Sequence, residues 1–251
     1  MTTSAGRGRY FERAAEYAAH RPDYPPELAD WLQGLAPARA RAWEAGCGSG
    51  QLSVLLGDRF DDVIATDASA AQLAHARAHP RVRYVGAAAE HAPLPAACVD
   101  LVAVAQAAHW FDLPAFYAET RRVARPGSVV ALVAYGNARL AERALDERFL
   151  RFYRDEIGAY WPPERRIIED DYRTIAFPFD EIEAPRFEMR ATWRVEQLLG
   201  YIGTWSAVRQ FERAGGDARV IDDFARELRA LWGDAPLVVR WPMLLRVGRV
   251  A

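Results

Sequence analysis

Three glycines in alternation constrain this chain more than any other feature of its sequence. Gly46, Gly48 and Gly50 lie between a short apolar segment and one with apolar residues at helical spacing. Residues without a Cβ let the backbone pass close beneath a bulky ligand, and a helix that begins at such a turn presents free N–H groups. The pattern is E-x-G-x-G-x-G, whereas the dinucleotide fingerprint is G-x-G-x-x-G. The ligand therefore need not carry a pyrophosphate, and a nicotinamide-dependent oxidoreductase is disfavoured.

The pattern on either side of the glycines predicts an α/β fold. Short apolar runs alternate with helical patterns over residues 1–135, which is typical of βαβ units on a parallel sheet. Predicted helices start after Pro25, at Gln51, at Ser69 and at Asp112, and the third is expected to run to His79. We expect a Rossmann-like, mostly parallel sheet of about seven strands, with helices on both faces and an N-terminal helical cap.

The pattern changes after residue 135. An Arg-rich helix over roughly 138–157 is followed by a stretch rich in proline and aromatic residues, further helices, and a closing strand VVRWPMLLRVGRV. We expect 1–135 to form the ligand-binding core with its cap, 136–240 a lid that faces the substrate, and 241–251 the closing strand of the core sheet.

Composition narrows the classes of function. The formal net charge is -2, which lacks the basic excess typical of nucleic-acid binding. All 32 basic residues are arginine, so neither a Schiff-base enzyme nor a Walker-type P-loop can be built. Two cysteines make no disulfide framework, His75 and His79 lack a carboxylate partner for a metal, and no apolar run approaches the ~18 residues of a membrane span. We expect a cytoplasmic protein without a metal, nucleic-acid partner or membrane association.

A carboxylate follows the second predicted strand. Asp67 ends the segment DDVIATD, 17 residues after Gly50. At this place in βαβ folds a carboxylate accepts hydrogen bonds from both hydroxyls of a ribose. The sequence therefore predicts a nucleoside ligand.

With these residues, the sequence resembles the class I S-adenosylmethionine-dependent methyltransferases, most closely the group that includes the trans-aconitate methyltransferases. The resemblance covers nearly all of residues 10–135. It is carried by YAAHRPDYPPEL (17–28), WEAGCGSGQLS (43–53), IATDASAAQLAHA (64–76), GAAAEHAPLP (86–95), VDLVAVAQAAHWFD (99–112) and RRVARPGSVV (121–130). The combination is specific, whereas the glycine motif alone is weak.

The resemblance implies the residues that would hold S-adenosylmethionine. The three glycines would line its methionine and ribose portions, Asp67 would hold the ribose, and Ala68 would abut the adenine. The full set is Tyr17, Arg21, Glu44, Gly46, Gly48, Gly50, Asp67, Ala68, Ala88, Ala89, Glu90 and Gln106. Many relatives carry Asp in place of Ala88, so its contact with the adenine amino group would fall to Glu90 or to water.

Two members of this set have alternative roles. Arg21 would pair with the cofactor's carboxylate as a planar bidentate donor, with Tyr17 beside it, or would lie on a solvated amphipathic cap. Glu44 would contact the cofactor, or would hold the glycine loop by accepting backbone N–H bonds.

His109 follows the fourth predicted strand, at the sheet edge where α/β proteins bind ligands. An imidazole near its ordinary pKa of ~6.5 can act as a general base or orient a substrate atom. The alternative is a His109–Trp110 pair that only packs and shapes the pocket. Since the sulfonium of S-adenosylmethionine supplies an excellent leaving group, positioning of the methyl acceptor beside it can suffice for methyl transfer.

The sequence says least about the methyl acceptor, the molecule that would receive the methyl group. Tyr10, Trp110, Trp193 and Trp205 are candidates for an aromatic wall, which favours N- or O-methylation of a small, planar heteroaromatic natural-product intermediate. Arginines after residue 135 leave open O-methylation of a small polycarboxylate, as in the trans-aconitate enzymes. A catalytically silent cofactor-binding protein is compatible with every motif.

Overall fold

A nine-stranded sheet forms the centre of the fold in this computed structural model, which describes residues 21–250. The strands are β1 (Arg41–Ala45), β2 (Asp62–Asp67), β3 (Val82–Gly86), β4 (Val99–Ala105), β5 (Ala124–Tyr135), β6 (Arg139–Leu140), β7 (Asp180–Ile182), β8 (Glu188–Trp193) and β9 (Leu237–Arg249). The order is β3-β2-β1-β4-β5-β9-β6, with β7 and β8 also paired to β9.

The first five strands are parallel, and β9 is antiparallel to β5. One part of β9 pairs with β5, from Met243 opposite Tyr135 to Arg249 opposite Val129. The preceding part pairs with β8 and with the short β6. The Rossmann-like, mostly parallel sheet is therefore confirmed. The strand β9 has the length of the predicted closing strand VVRWPMLLRVGRV, but it begins at Leu237, before the boundary expected at residue 241.

Nine helices lie within residues 21–250. They are α1 (Pro26–Leu35), α2 (Gln51–Gly57), α3 (Ala70–Leu73), α4 (Leu113–Val123), α5 (Arg143–Arg151), α6 (Arg165–Glu169), α7 (Val195–Gly203), α8 (Ser206–Arg213) and α9 (Ala218–Trp232). A π-helical turn (Phe152–Glu156) continues α5, and 3₁₀ turns cover Ala108–Trp110 and Gly158–Tyr160. No helix in this part of the chain is long and apolar enough to cross a membrane.

The alternation of side chains along the strands divides the core between the two faces of the sheet. On β5, Val129 and Val133 pack into a cluster with α1 and α2, while Val130 and Leu132 pack into a second cluster with α4. Both faces are buried because the strands carry near-continuous apolar runs, as expected for a parallel sheet between two layers of helices.

Local signals set several of these boundaries as predicted. The Asp112 side chain caps α4 by accepting from the Ala115 N–H, and Ser69 caps α3 by accepting from the Gln72 N–H. The helix predicted to reach His79 instead ends at Leu73.

Tertiary contacts override the helical pattern beyond Leu73. The Arg77 N–H donates to the Ser49 carbonyl at 3.0 Å, and the Tyr84 hydroxyl donates to the Arg77 carbonyl at 2.7 Å. These bonds hold the segment against the glycine loop, so its backbone groups are satisfied outside a helix.

Candidate functional site

The three glycines join β1 to α2 with positive φ angles of 68°, 56° and 80° for Gly46, Gly48 and Gly50. A Cβ on Gly46 would lie 2.6 Å from the Ala107 Cβ, and one on Gly50 would overlap the Tyr84 hydroxyl. A Cβ on Gly48 would meet only the Gln72 Oε1, at 3.9 Å. Gly46 and Gly50 are thus required by packing, whereas Gly48 faces open space in the cleft above the loop.

Asp67 closes the loop from the end of β2. Its Oδ2 accepts from the Gly48 N–H at 2.8 Å, and its Oδ1 accepts from the Ser69 N–H at 2.7 Å. Burial raises the pKa of Asp67, and the two N–H donors oppose that rise. The carboxylate is therefore held in one orientation, with lone pairs left for a ligand.

Glu44 lies beneath the loop and is almost completely buried, with 1% of its surface exposed. Its Oε2 accepts a hydrogen bond from the Ser53 hydroxyl of α2. Burial raises the pKa of Glu44 to about 8. Within residues 21–250 its side chain accepts no backbone N–H bond, so the contact observed ties β1 to α2.

A cleft of about 380 Å³ opens along this edge of the sheet, in the size range of ligand sites. Predicted residues that line it are Arg21, Glu44, Gly46, Gly48, Asp67, Ala68, Ala88, Ala89, Glu90, Gln106 and Trp110. Gly50 instead caps α2, and Tyr10 and Tyr17 fall outside the described residues. The sequence pattern gave no indication of three further residues of the wall, Gln72, Phe111 and Tyr135.

A second cavity of about 120 Å³ adjoins the cleft. Arg21, Gln106 and Trp110 line both spaces. The Arg21 Nη1 donates to the Tyr135 hydroxyl at 2.7 Å, which fixes the guanidinium at the boundary. The two spaces therefore have a common wall.

Gln106 occupies this boundary with a strained backbone, at a φ of 54°. Its Nε2 donates to the Tyr135 carbonyl at 3.0 Å, which fixes the orientation of the amide. Non-glycine residues at positive φ are uncommon and cluster at functional sites.

The remaining walls of the second cavity come largely from the chain after residue 135. Aromatic rings of Trp161, Tyr201 and Trp205 line it together with the guanidinium groups of Arg165 and Arg209. Trp205, a predicted acceptor-binding residue, thus lies in this cavity. Trp193 lines neither space; its ring packs 5.0 Å from Trp241 and 5.8 Å from Tyr201, centroid to centroid.

His109 faces the second cavity from the 3₁₀ turn after β4. Its ring centroid lies 4.9 Å from that of Trp110, and its Nδ1 lies 3.4 Å from the Tyr172 hydroxyl. Burial, with the positive charge of Arg165, lowers the pKa of His109 to about 3. The expectation of an ordinary imidazole pKa was wrong, because the sequence did not reveal either the enclosure or Arg165.

Arg165 is held by neutral oxygens. Its Nη2 donates to the Asn137 Oδ1 at 2.7 Å and its Nε to the Tyr153 hydroxyl at 3.1 Å, while the guanidinium lies 5.1 Å from the Trp161 ring. It forms no ion pair with a carboxylate anywhere in residues 21–250. Its charge therefore remains available to a ligand in the cavity.

No cluster of His, Cys, Asp and Glu suited to a metal occurs in the described part of the chain. His79 instead contacts Asp58, with 3.2 Å between its Nε2 and the carboxylate oxygen.

Comparisons of the sequence with known proteins find methyltransferases. A family model described as a methyltransferase domain matches residues 43–132. A Dictyostelium discoideum protein named as a methyltransferase is 31% identical over 237 residues, which cover 91% of this chain and 90% of that protein. A malonyl-[acyl-carrier protein] O-methyltransferase of Enterobacter lignolyticus is 37% identical over 147 residues, 55% of this chain and 59% of that protein.

A solved methyltransferase structure has the same fold as this chain. The structure described as a type II methyltransferase from Anaeromyxobacter dehalogenans has 48% sequence identity and a TM-score of 0.85. The match covers 92% of this chain and 98% of that one.

Proposed function

The chain belongs to the class I S-adenosylmethionine-dependent methyltransferases, and we propose that it methylates a small molecule held in the second cavity. The observation that carries this proposal is the common wall of Arg21, Gln106 and Trp110 between the cleft and that cavity. A donor in one space and an acceptor in the other would meet at this wall. Methyl transfer requires such proximity more than it requires acid–base chemistry.

The residues of the cleft fit S-adenosylmethionine. Asp67 presents a fixed carboxylate for the ribose hydroxyls, and the open space above Gly48 admits a ligand against the backbone. Arg21 lies where it can pair with a carboxylate, and Ala68, Ala88, Ala89 and Glu90 form the remaining wall proposed for the adenine. When bound, the cofactor supplies an electrophilic methyl group on a sulfonium.

We favour a planar heteroaromatic acceptor that is methylated on nitrogen or oxygen. Trp161, Tyr201 and Trp205 offer apolar surfaces on which a flat ring can stack, and His109 offers a polar group beside them. All but one of these residues follow residue 135, which supports the substrate-facing role of 136–240. The proposed units remain 1–135 for the cofactor and a closing strand, for which the structure gives Leu237–Arg249 in place of the expected 241–251.

A second candidate is O-methylation of a small carboxylate or polycarboxylate. The observation that favours it is Arg165, whose charge faces the cavity without a carboxylate partner in the described chain. The similarity to a malonyl-[acyl-carrier protein] O-methyltransferase over about half of the chain also supports an oxygen acceptor.

Calorimetry and mass spectrometry together test the proposal. We expect S-adenosylmethionine and its demethylated product to bind, and NAD not to bind. Incubation with planar heteroaromatics and with small carboxylic acids is then expected to add one methyl group to members of at least one set. Preferential binding of NAD would refute the cofactor assignment, whereas tight cofactor binding without methylation of either set would support a silent binding protein.

A further inference from the structure

Tyr172 lies in the core beneath His109 on a strained stretch of backbone. Its side chain is completely buried, and it and Asp171 have φ angles of 58° and 54°. The left-handed region is unfavourable for a bulky residue, so the surrounding structure must stabilise this conformation.

Arg246 of β9 provides that support. Its Nη1 donates to the Tyr172 carbonyl at 3.3 Å and to the Ile175 carbonyl at 2.6 Å. Its guanidinium also pairs with Glu181 at 2.8 Å and lies 4.9 Å from the Phe177 ring. Tyr172 is therefore held in place by a residue of the central sheet, independently of His109.

The hydrogen bond between Tyr172 and His109 has a preferred direction. Within residues 21–250 the buried Tyr172 hydroxyl has one partner, the His109 Nδ1 at 3.4 Å. If Nδ1 carried the imidazole hydrogen, the phenolic hydrogen would be left buried without an acceptor, which is unfavourable. If the hydroxyl donates to Nδ1, both groups are satisfied.

The other ring nitrogen faces the cavity. The His109 Nε2 bonds to no atom of the described chain, and it is not among the buried polar atoms without a partner. It is therefore reachable from the second cavity, which His109 lines. The Tyr172 hydroxyl contacts the ring, and Arg165, Arg21 and Arg209 line the same cavity. The charge of Arg165 disfavours an imidazolium.

We propose that Tyr172 fixes His109 as the neutral tautomer with its hydrogen on Nε2, so that His109 donates a hydrogen bond to the acceptor molecule and does not remove its proton. Tyr172 is then a positioning residue. This proposal rests on the proposed function. It requires that the substrate atom that receives the methyl group is reactive without the enzyme first removing a proton from it, as with an ionised oxygen or a nitrogen lone pair. The acceptor must also present an electron pair to Nε2.

Long-range ¹H–¹⁵N correlation spectra of protein labelled at histidine test this proposal without any acceptor. His109→Gln assigns the signals. We expect the wild-type His109 spectrum to show a protonated Nε2 and an unprotonated Nδ1, unchanged between about pH 5.5 and 8, whereas a solvated histidine titrates in that range.

Tyr172→Phe removes the donor and is expected to shift both nitrogen signals towards a mixture of tautomers. Tyr117→Phe is the matched control, because it removes a buried hydroxyl without a hydrogen-bond partner from the same core cluster. It is expected to leave the His109 signals unchanged.

A wild-type His109 with its hydrogen on Nδ1, or one that becomes charged in this pH range, would overturn the proposal even if Tyr172→Phe fails to fold. Identical His109 signals in a folded Tyr172→Phe would also overturn it. Failure of the proposed function would instead appear as absent cofactor binding in calorimetry.

Discussion

The backbone N–H of Gly48 donates a hydrogen bond of 2.8 Å to the Asp67 Oδ2, so the carboxylate at the end of β2 is tied to the centre of the glycine loop. The two motifs separated in the sequence are thus one structural unit. A change at Asp67 is therefore expected to remove the proposed contact with the ribose and to loosen the loop, whereas a change at Gly48 is expected to block the cleft.

Asp67→Ala is expected to weaken binding of S-adenosylmethionine by about 1–3 kcal/mol, because charge-assisted bonds to two ribose hydroxyls are lost. Calorimetry measures the affinity. Asp62→Ala is the control, since Asp62 begins the same strand but pairs with Arg41 and Arg83 away from the cleft. Equal affinity of Asp67→Ala and wild type would remove Asp67 from the proposed site.

Gly48→Val is expected to abolish cofactor binding, because the side chain would fill the space beneath the ligand. The positive φ adds a strain of roughly 1–2 kcal/mol in the folded protein. Gly127→Val separates the two effects, since Gly127 has a φ of 78° and an added Cβ there meets no atom within 4 Å. Both variants should lose stability, and only Gly48→Val should lose affinity; normal binding by a folded Gly48→Val would contradict the placement of the ligand.

The lowered pKa of His109 predicts that the stability of the folded protein depends on pH. Its pKa is about 3 in the folded protein, below the 6.5 of an ordinary histidine, so the unfolded chain binds the extra proton between these values. The contribution of His109 to stability is therefore full above about pH 6.5 and is lost as the pH falls towards 3. Thermal melts of wild type should decline more steeply over this window than those of His109→Gln; parallel declines would contradict the assigned pKa.

Glu44 predicts the opposite dependence. Its pKa is about 8 in the folded protein against 4.5 for an ordinary Glu, so the folded state retains a proton that the unfolded chain releases. Wild type should lose stability relative to Glu44→Gln as the pH rises from about 4.5 through 8. Denaturant unfolding measures the free energy of unfolding at each pH. Ser53→Ala keeps the Glu44 carboxyl group and should still lose stability as the pH rises. A wild type whose stability does not fall over this range would contradict burial of a titrating Glu44.

Many residues that line the cleft could be predicted from the sequence because they act through local geometry. Gly46, Gly48 and Gly50 each need a backbone conformation that disfavours a side chain, and Asp67 ends a strand. Such local requirements restrict the residue types within a short segment, so they can be recognised in the sequence. The caps Ser69 and Asp112 were predictable for the same reason.

The second cavity depends on contacts between distant segments of the chain, which leave no local sequence pattern. Arg165 and Tyr172 meet His109 across more than fifty positions of the chain, and together they change its pKa and hydrogen bonding. The segment after Leu73 likewise has helical periodicity, but the bonds of Arg77 to Ser49 and Tyr84 determine its path. Trp193 is partly buried and packs against the core, with its ring beside that of Trp241.

The wall formed by Arg21, Gln106 and Trp110 borders the cleft on one side and the second cavity on the other. A ligand that further orders the side chains of this wall from one side would prepare them for a ligand on the other, because the ordering entropy is lost only once. The two binding affinities are then thermodynamically linked. The factor by which the bound donor increases the affinity for the acceptor equals the factor by which the bound acceptor increases the affinity for the donor. Under the proposed function, the methyl donor and the methyl acceptor would each bind most tightly when the other is already present.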